Sequence, residues 1–174
     1  MKTYMVLKQK FLLYSIICIT AIIWGSSIHS RSMVKQAPGF AIFDIEDKFV
    51  SLNDLTKKHN LIISFWASYC LPCKKEIPQL VELEKKYSLE KNLKLVLINI
   101  DTEGKVKAKP VLDELGVSTL CLMDIYQINT KNYISNLKIP AVFIVNRKNE
   151  IVFEAVGENE ENLQKLEKAI INLK

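Results

Sequence analysis

The 174-residue chain has no internal repeat and no low-complexity tract, so repeat arrays and low-complexity tails are excluded. Residues that bind soft metals are few, with four cysteines and two histidines in all. Beyond residue 36 only Cys70, Cys73, Cys121 and His59 remain. A structural zinc takes four ligands, and here Cys121 lies inside an apolar run while His59 stands alone at the edge of another. No metal and no other cofactor is expected. Acids are absent from residues 1 to 36, which carry Lys2, Lys8, Lys10, Arg31 and Lys35. That segment holds the whole net charge of +5, because residues 37 to 174 contain nineteen basic and nineteen acidic groups. A folded domain of balanced charge gives no extended basic face, which argues against nucleic acid as a partner.

What is present is enough for one globular domain, with 49% apolar and 25% charged residues and room for a core without staples. The N-terminal lysines precede an uncharged stretch from Phe11 to Ile28, whose apolar centre ends at Trp24. Small residues Gly25, Ser26, Ser27 and Ser30 follow it. This is the layout of a secretory signal. Eighteen uncharged residues also suffice for an uncleaved membrane anchor, with the lysines inside and the domain outside. Cys18 sits in this stretch without the small residues before it that a lipoprotein signal needs. We read residues 1–30 as signal peptide or membrane anchor, 31–36 as linker and 37–174 as one domain. The expected location is extracytoplasmic: the periplasm or the outer face of the membrane.

The centre of the domain is Cys70-Leu71-Pro72-Cys73. It falls between the apolar run Leu61 to Ala67, which lacks alternation and reads as a doubly covered strand, and a helical pattern beginning at Pro72. A C-x-x-C at such a joint is a thiol-disulfide redox centre in sequence form. Unpaired N–H groups and the dipole at a helix start favour thiolate over thiol at Cys70. Pro72 is tolerated there because a first-turn residue donates no helical hydrogen bond. Cys70 is then the nucleophile and Cys73 the resolving thiol, working through a mixed disulfide. A static bridge across two residues closes too small a loop to stabilise much.

Phe65-Trp66-Ala67-Ser68-Tyr69-Cys70-Leu71-Pro72-Cys73-Lys74-Lys75-Glu76-Ile77-Pro78 resembles the active-site stretch of thioredoxin-fold proteins. It is similar in particular to the extracytoplasmic TlpA/ResA group, which is related to AhpC/TSA proteins. The group's pattern F-W-A-x-W-C-x-P-C-x-x-E-x-P is followed except at Tyr69, where the group has Trp. The resemblance implies an α/β fold: a three-layer sandwich around a central mixed sheet, with an added N-terminal hairpin.

The rest of the chain fits that frame. Phe40 to Ile45 and Phe49-Val50 are strand-like around the turn Glu46-Asp47-Lys48, and Ser51 caps a helical turn. Ile77, Leu80, Leu83 and Tyr87 form an apolar helical stripe interrupted by Pro78. Leu93 to Ile100 reads as a buried strand, Lys105 to Leu115 as a helix closed by Gly116, and Thr119 to Met123 as a short strand. Asp124 to Asn136 is irregular or helical. Ile139 to Val145 and Ile151 to Ala155 form an antiparallel pair, and Leu163, Leu166, Ile170 and Leu173 mark a closing helix.

The resemblance also assigns roles. Ile139-Pro140 corresponds to the cis-proline that faces the disulfide and pairs with substrate backbone; a trans proline at a strand start is the plainer reading. Ser64 stands where cytoplasmic thioredoxins carry a buried proton-handling aspartate, so Glu76 becomes the candidate proton group, against a plain surface glutamate near a helix start. Trp66 and Tyr69 are expected beside the disulfide as core and rim, with Trp66 bordering the substrate site, and Cys121 as a buried small hydrophobe. The implied activity is reduction of protein disulfides, with apocytochrome c as one client in some relatives. The implied electron donor is a membrane thiol carrier of the CcdA/DsbD kind. A peroxiredoxin needs a Pro before its reactive cysteine, and Ser64 to Tyr69 has none. A client-binding module without turnover is the rival from another class.

Overall fold

The computed structural model describes residues 34–173. The signal peptide or anchor expected in residues 1–30 lies outside them, as does the first part of the linker. Among the described residues no helix is long and apolar enough to cross a membrane.

Strands β1 (Ala41–Phe43) and β2 (Phe49–Ser51) form an antiparallel hairpin with Ile42 opposite Val50. The turn between them is built by Asp44, whose carboxylate accepts from the backbone N–H groups of Glu46 and Lys48 at 2.9 and 2.8 Å. That side-chain turn ends β1 before Ile45, so the strand is shorter than the apolar pattern predicts. Ser51 caps helix α1 (Leu52–Thr56), its hydroxyl accepting from the Asp54 N–H at 3.2 Å.

Strand β3 (Asn60–Trp66) is buried at all seven positions, which explains its unbroken apolar run. It leads into α2 (Leu71–Tyr87), whose buried stripe is Cys73, Ile77, Leu80, Leu83 and Tyr87, with Pro78 inside the helix. Strand β4 (Leu93–Asn99) lies parallel to β3, with Ile63 opposite Val96. Helix α3 (Lys105–Glu114) stops at Gly116, which takes φ 63° and closes two backbone bonds, Gly116 to Asp113 and Val117 to Leu112. Strand β5 (Leu120–Met123) continues the parallel set beside β4. Within the irregular stretch the structure forms α4 (Ile128–Tyr133), started by Asp124, which accepts from the Thr130 N–H and hydroxyl at 2.7 and 2.6 Å. Strands β6 (Ala141–Val145) and β7 (Ile151–Val156) are antiparallel, and α5 (Glu160–Ile171) begins at the Asn159 cap.

The sheet order is β5-β4-β3-β6-β7, mixed in direction, with the hairpin as a separate two-stranded sheet. Helix α2 packs on β3 and β4, and α5 on β6 and β7. Tyr133 of α4 packs against Phe65 and Phe143, tilted on the first and edge-to-face on the second, with ring centroids 5.2 Å apart in each pair. Ile45 donates its N–H to Cys121 at 2.9 Å, joining the hairpin to the β5 edge. Strand–helix–strand followed by strand–strand–helix, with an added hairpin, is the thioredoxin-like α/β arrangement. The carboxyl ends of β3 and β4 meet at the start of α2, the place where open α/β sheets put their sites.

Candidate active site

The turn from β3 to α2 is Ala67-Ser68-Tyr69-Cys70, closed by a 3.0 Å bond from the Cys70 N–H to the Ala67 carbonyl. Cys70 is the N-cap of α2, with extended φ and ψ of −86° and 97°. Its sulfur accepts from the Cys73 N–H at 3.2 Å. A residue that leaves the strand extended and caps the helix with sulfur places that sulfur at the positive end of the dipole. Cys70 and Cys73 form a disulfide, with Cα atoms 5.3 Å apart. Cys70 keeps 7% of its surface and Cys73 only 1%. Both are nearly covered, Cys70 less completely than Cys73. Tyr69 and Leu71 on either side are 70% and 69% exposed.

Glu76 stands one helical turn beyond Cys73. Its Oε2 is buried with no hydrogen-bond partner among the described residues. Loss of solvent raises its pKa from the usual carboxylate range to about 7, and the negative charge of Glu158 adds to the rise. The carboxyl lines a cavity of about 310 Å³ together with Pro72, Lys75, Pro140 and Glu158. The Ile139-Pro140 bond is cis, and Pro140 precedes β6 on the far side of that cavity. Cys73, Glu76 and Pro140 are thus brought to one end of the sheet from two elements.

Trp66 and Tyr69 divide as core and rim, and the fully buried Trp66 side chain presents no surface to a substrate segment in this structure. As the last residue of the doubly covered strand β3 it belongs to the core, and Tyr69 supplies the exposed aromatic beside the disulfide. Ser64 is buried in the same strand with its hydroxyl unpartnered. Cys121 is free and buried opposite Leu97, and burial pushes its thiol up to about 12. It is the apolar filler that the sequence implies. His59 Nδ1 lies 3.1 Å from the Asn92 side-chain oxygen.

Two residues near the site were not foreseen. Glu158, in the loop after β7, faces Glu76 from 82 positions away, and nothing local in the sequence marks it. Asp101 lies beneath the Cys70 turn and accepts from Ser68. Its place just past the end of a buried strand that neighbours β3 is the signal that would have found it.

A thioredoxin-like sheet with a Cys-x-x-Cys disulfide at the start of its first long helix defines the class of thiol-disulfide oxidoreductases. Known proteins narrow this further. Residues 33–154 match the AhpC/TSA family. Thiol-disulfide oxidoreductase ResA of Bacillus anthracis is 30% identical over 124 residues, covering 71% of this chain and 69% of that protein. Among solved structures, StoA from Bacillus subtilis is similar at TM-score 0.61 and 24% identity, across 76% of this chain and 96% of the other. A thiol:disulfide interchange protein of the thioredoxin family from Chlorobium tepidum TLS gives TM-score 0.66 at 21% identity, across 82% and 97%. The two structural likenesses bear on the fold alone. The chain belongs to the AhpC/TSA family, as a thioredoxin-fold oxidoreductase of the TlpA/ResA type.

Proposed function

We propose that the protein reduces disulfides of client proteins outside the cytoplasmic membrane, through Cys70 and Cys73. The observation that carries this reading is the disulfide itself: a capping Cys70 less completely covered than Cys73 behind it, and a carboxyl poised near neutral pH one turn further on. In the dithiol form the Cys70 thiolate attacks one sulfur of the client disulfide, and the client's other sulfur leaves as thiolate and takes a proton. The Cys73 thiol then loses its proton and attacks the Cys70 sulfur. The client departs as dithiol, and two electrons have passed to it while Cys70–Cys73 becomes the disulfide. Glu76 is the base for the Cys73 proton, since a carboxyl with a pKa of about 7 is half ionised where the reaction runs. Pro140 and Ile139 border the groove that receives the client backbone.

Export by residues 1–30 rests on their lysines and uncharged stretch. Reduction, and re-reduction by a membrane thiol carrier of the CcdA/DsbD kind, rests on similarity to ResA-type proteins. Apocytochrome c is one client compatible with that reading. The test is insulin reduction by the full chain with dithiothreitol as electron source. The wild type accelerates precipitation of the insulin B chain, and Cys70→Ser does not. A folded, disulfide-competent protein with no acceleration would be a binding module instead.

A further inference from the structure

Asp101 is 3% exposed, yet no lysine or arginine among the described residues pairs with it. Its carboxylate accepts three hydrogen bonds: from the Ser68 N–H at 2.8 Å, the Ser68 hydroxyl at 2.9 Å and the Asn99 side-chain amide at 2.7 Å. The Asp101 N–H in turn donates to the Asn99 side-chain oxygen at 3.1 Å. Two of the three donors belong to the residue that stands two positions before Cys70. The end of β4 therefore grips the turn that presents the nucleophile.

We propose that Asp101 is a positioning residue of the disulfide centre: it ties the Ser68–Cys70 turn to β4, and its charge keeps the Cys70 thiol less acidic. A negative charge close to a thiol disfavours the thiolate, opposing the dipole of α2. A less stabilised thiolate makes the dithiol form a better electron donor, which suits a reductant. The neighbouring charges are weaker influences on Cys70. Glu103 and Lys107 flank Asp101 and Tyr69 on one side, while Lys75 and Glu158 lie across the cavity with Glu76 on the other. Lys75, Glu103, Lys107 and Glu158 are all exposed and screened by water, and Lys74 follows Cys73 on α2. Of the carboxylates named here, those withheld from water are Asp101 and, in part, Glu76. The two approach the disulfide from different elements, so their effects add.

The inference rests on Cys70 being the nucleophile. The test measures iodoacetamide reaction at Cys70 against pH in the reduced full chain, with peptide mapping, and equilibrium with glutathione. Asp101→Asn should lower the apparent pKa of Cys70 by about 0.5–1. It should also shift the glutathione equilibrium about 3- to 10-fold toward the dithiol. Ser68→Ala keeps the carboxylate and should not lower the pKa. If Asp101→Asn melts cooperatively and leaves pKa and equilibrium where they were, Asp101 is a structural cap and the inference fails. Should Asp101→Asn not fold, Asp101→Ser, which can still accept from Ser68, replaces it. If neither neutral variant folds, the carboxylate is a requirement of the fold and the tuning role is overturned. A wild-type Cys70 that resists alkylation at every pH defeats the proposed function instead, before Asp101 is tested.

Discussion

Glu76 titrates at about 7 in the folded protein against 4.5 in an unfolded chain, chiefly because burial penalises its charge. The native state therefore keeps the proton longer than the unfolded state. Stability falls as pH rises from 4.5 toward 7 and is flat beyond that, the reverse of the usual paired carboxylate. The loss across that window is at most about 3 kcal/mol, and about 1–2 after allowing for partial contact with water. Glu76→Gln should abolish this slope and be the more stable protein at pH 8, with equality below pH 4.5, as read by urea unfolding of the disulfide forms. The same variant should lower the Cys70 pKa and slow client reduction near neutral pH, because a nearby negative charge and a proton acceptor are both lost. Superimposable thiolate titrations with equal rates would leave Glu76 without a part in the thiol chemistry. Cys70 and Cys73 differ in access as well as position. Brief iodoacetamide treatment of the reduced protein should modify Cys70 before Cys73, and peptide mapping that found the opposite order would reverse their roles.

Among the elements, α2 and β6 define the groove, since Pro72 and Glu76 of the helix and Pro140 just ahead of the strand line one cavity. Pro140 is buried and its carbonyl accepts from the Gly157 N–H at 2.7 Å, so the main chain there is also held from the residue just past β7. Replacing it with Ala leaves that carbonyl bond in place but changes the wall of the groove. The fold should survive, and mixed disulfides with clients should accumulate because release is impaired. Non-reducing gels of Pro140→Ala that show normal turnover and no trapped species would remove Pro140 from the client path. The segment leading into the hairpin is anchored by α4. The Tyr133 hydroxyl donates to the Pro38 carbonyl at 2.7 Å, and burial raises the pKa of that phenol well above its usual value. Tyr133→Phe should cost about 0.5–1.5 kcal/mol in denaturant unfolding while sparing insulin reduction.

At the scale of the whole molecule the charge is divided by position. All of the net +5 lies in residues 1 to 36, and the remainder is neutral overall. On the proposed reading of residues 1–30 as an export segment, a basic start followed by an uncharged stretch orients the chain with its lysines in the cytoplasm. Alkaline phosphatase fused after residue 36 should therefore be active, as that enzyme needs an oxidising compartment for its disulfides. A stable but inactive fusion would show that these residues do not export the domain.

Local geometry was legible in the sequence because it is a property of neighbours along the chain. The apolar run before Cys70, the helical stripe from Ile77 to Tyr87, the glycine stop at Gly116 and the two paired strands near the C-terminus each report a backbone period or a turn constraint. The Cys70–Cys73 centre was legible for the same reason, since both cysteines share one helical turn. Trp66 shows the limit: its place beside the motif is local, but its complete burial follows from strands and helices that close over β3 on both faces. Asp101 shows it more sharply, lying 33 positions from Ser68 in sequence and 2.8 Å away in the fold. Glu76 was recognised as a candidate, but its raised pKa needed Glu158 and the walls of the cavity. Only tertiary structure decides which charges lose their water, because desolvation depends on everything that packs around a group and not on the residues beside it in the chain.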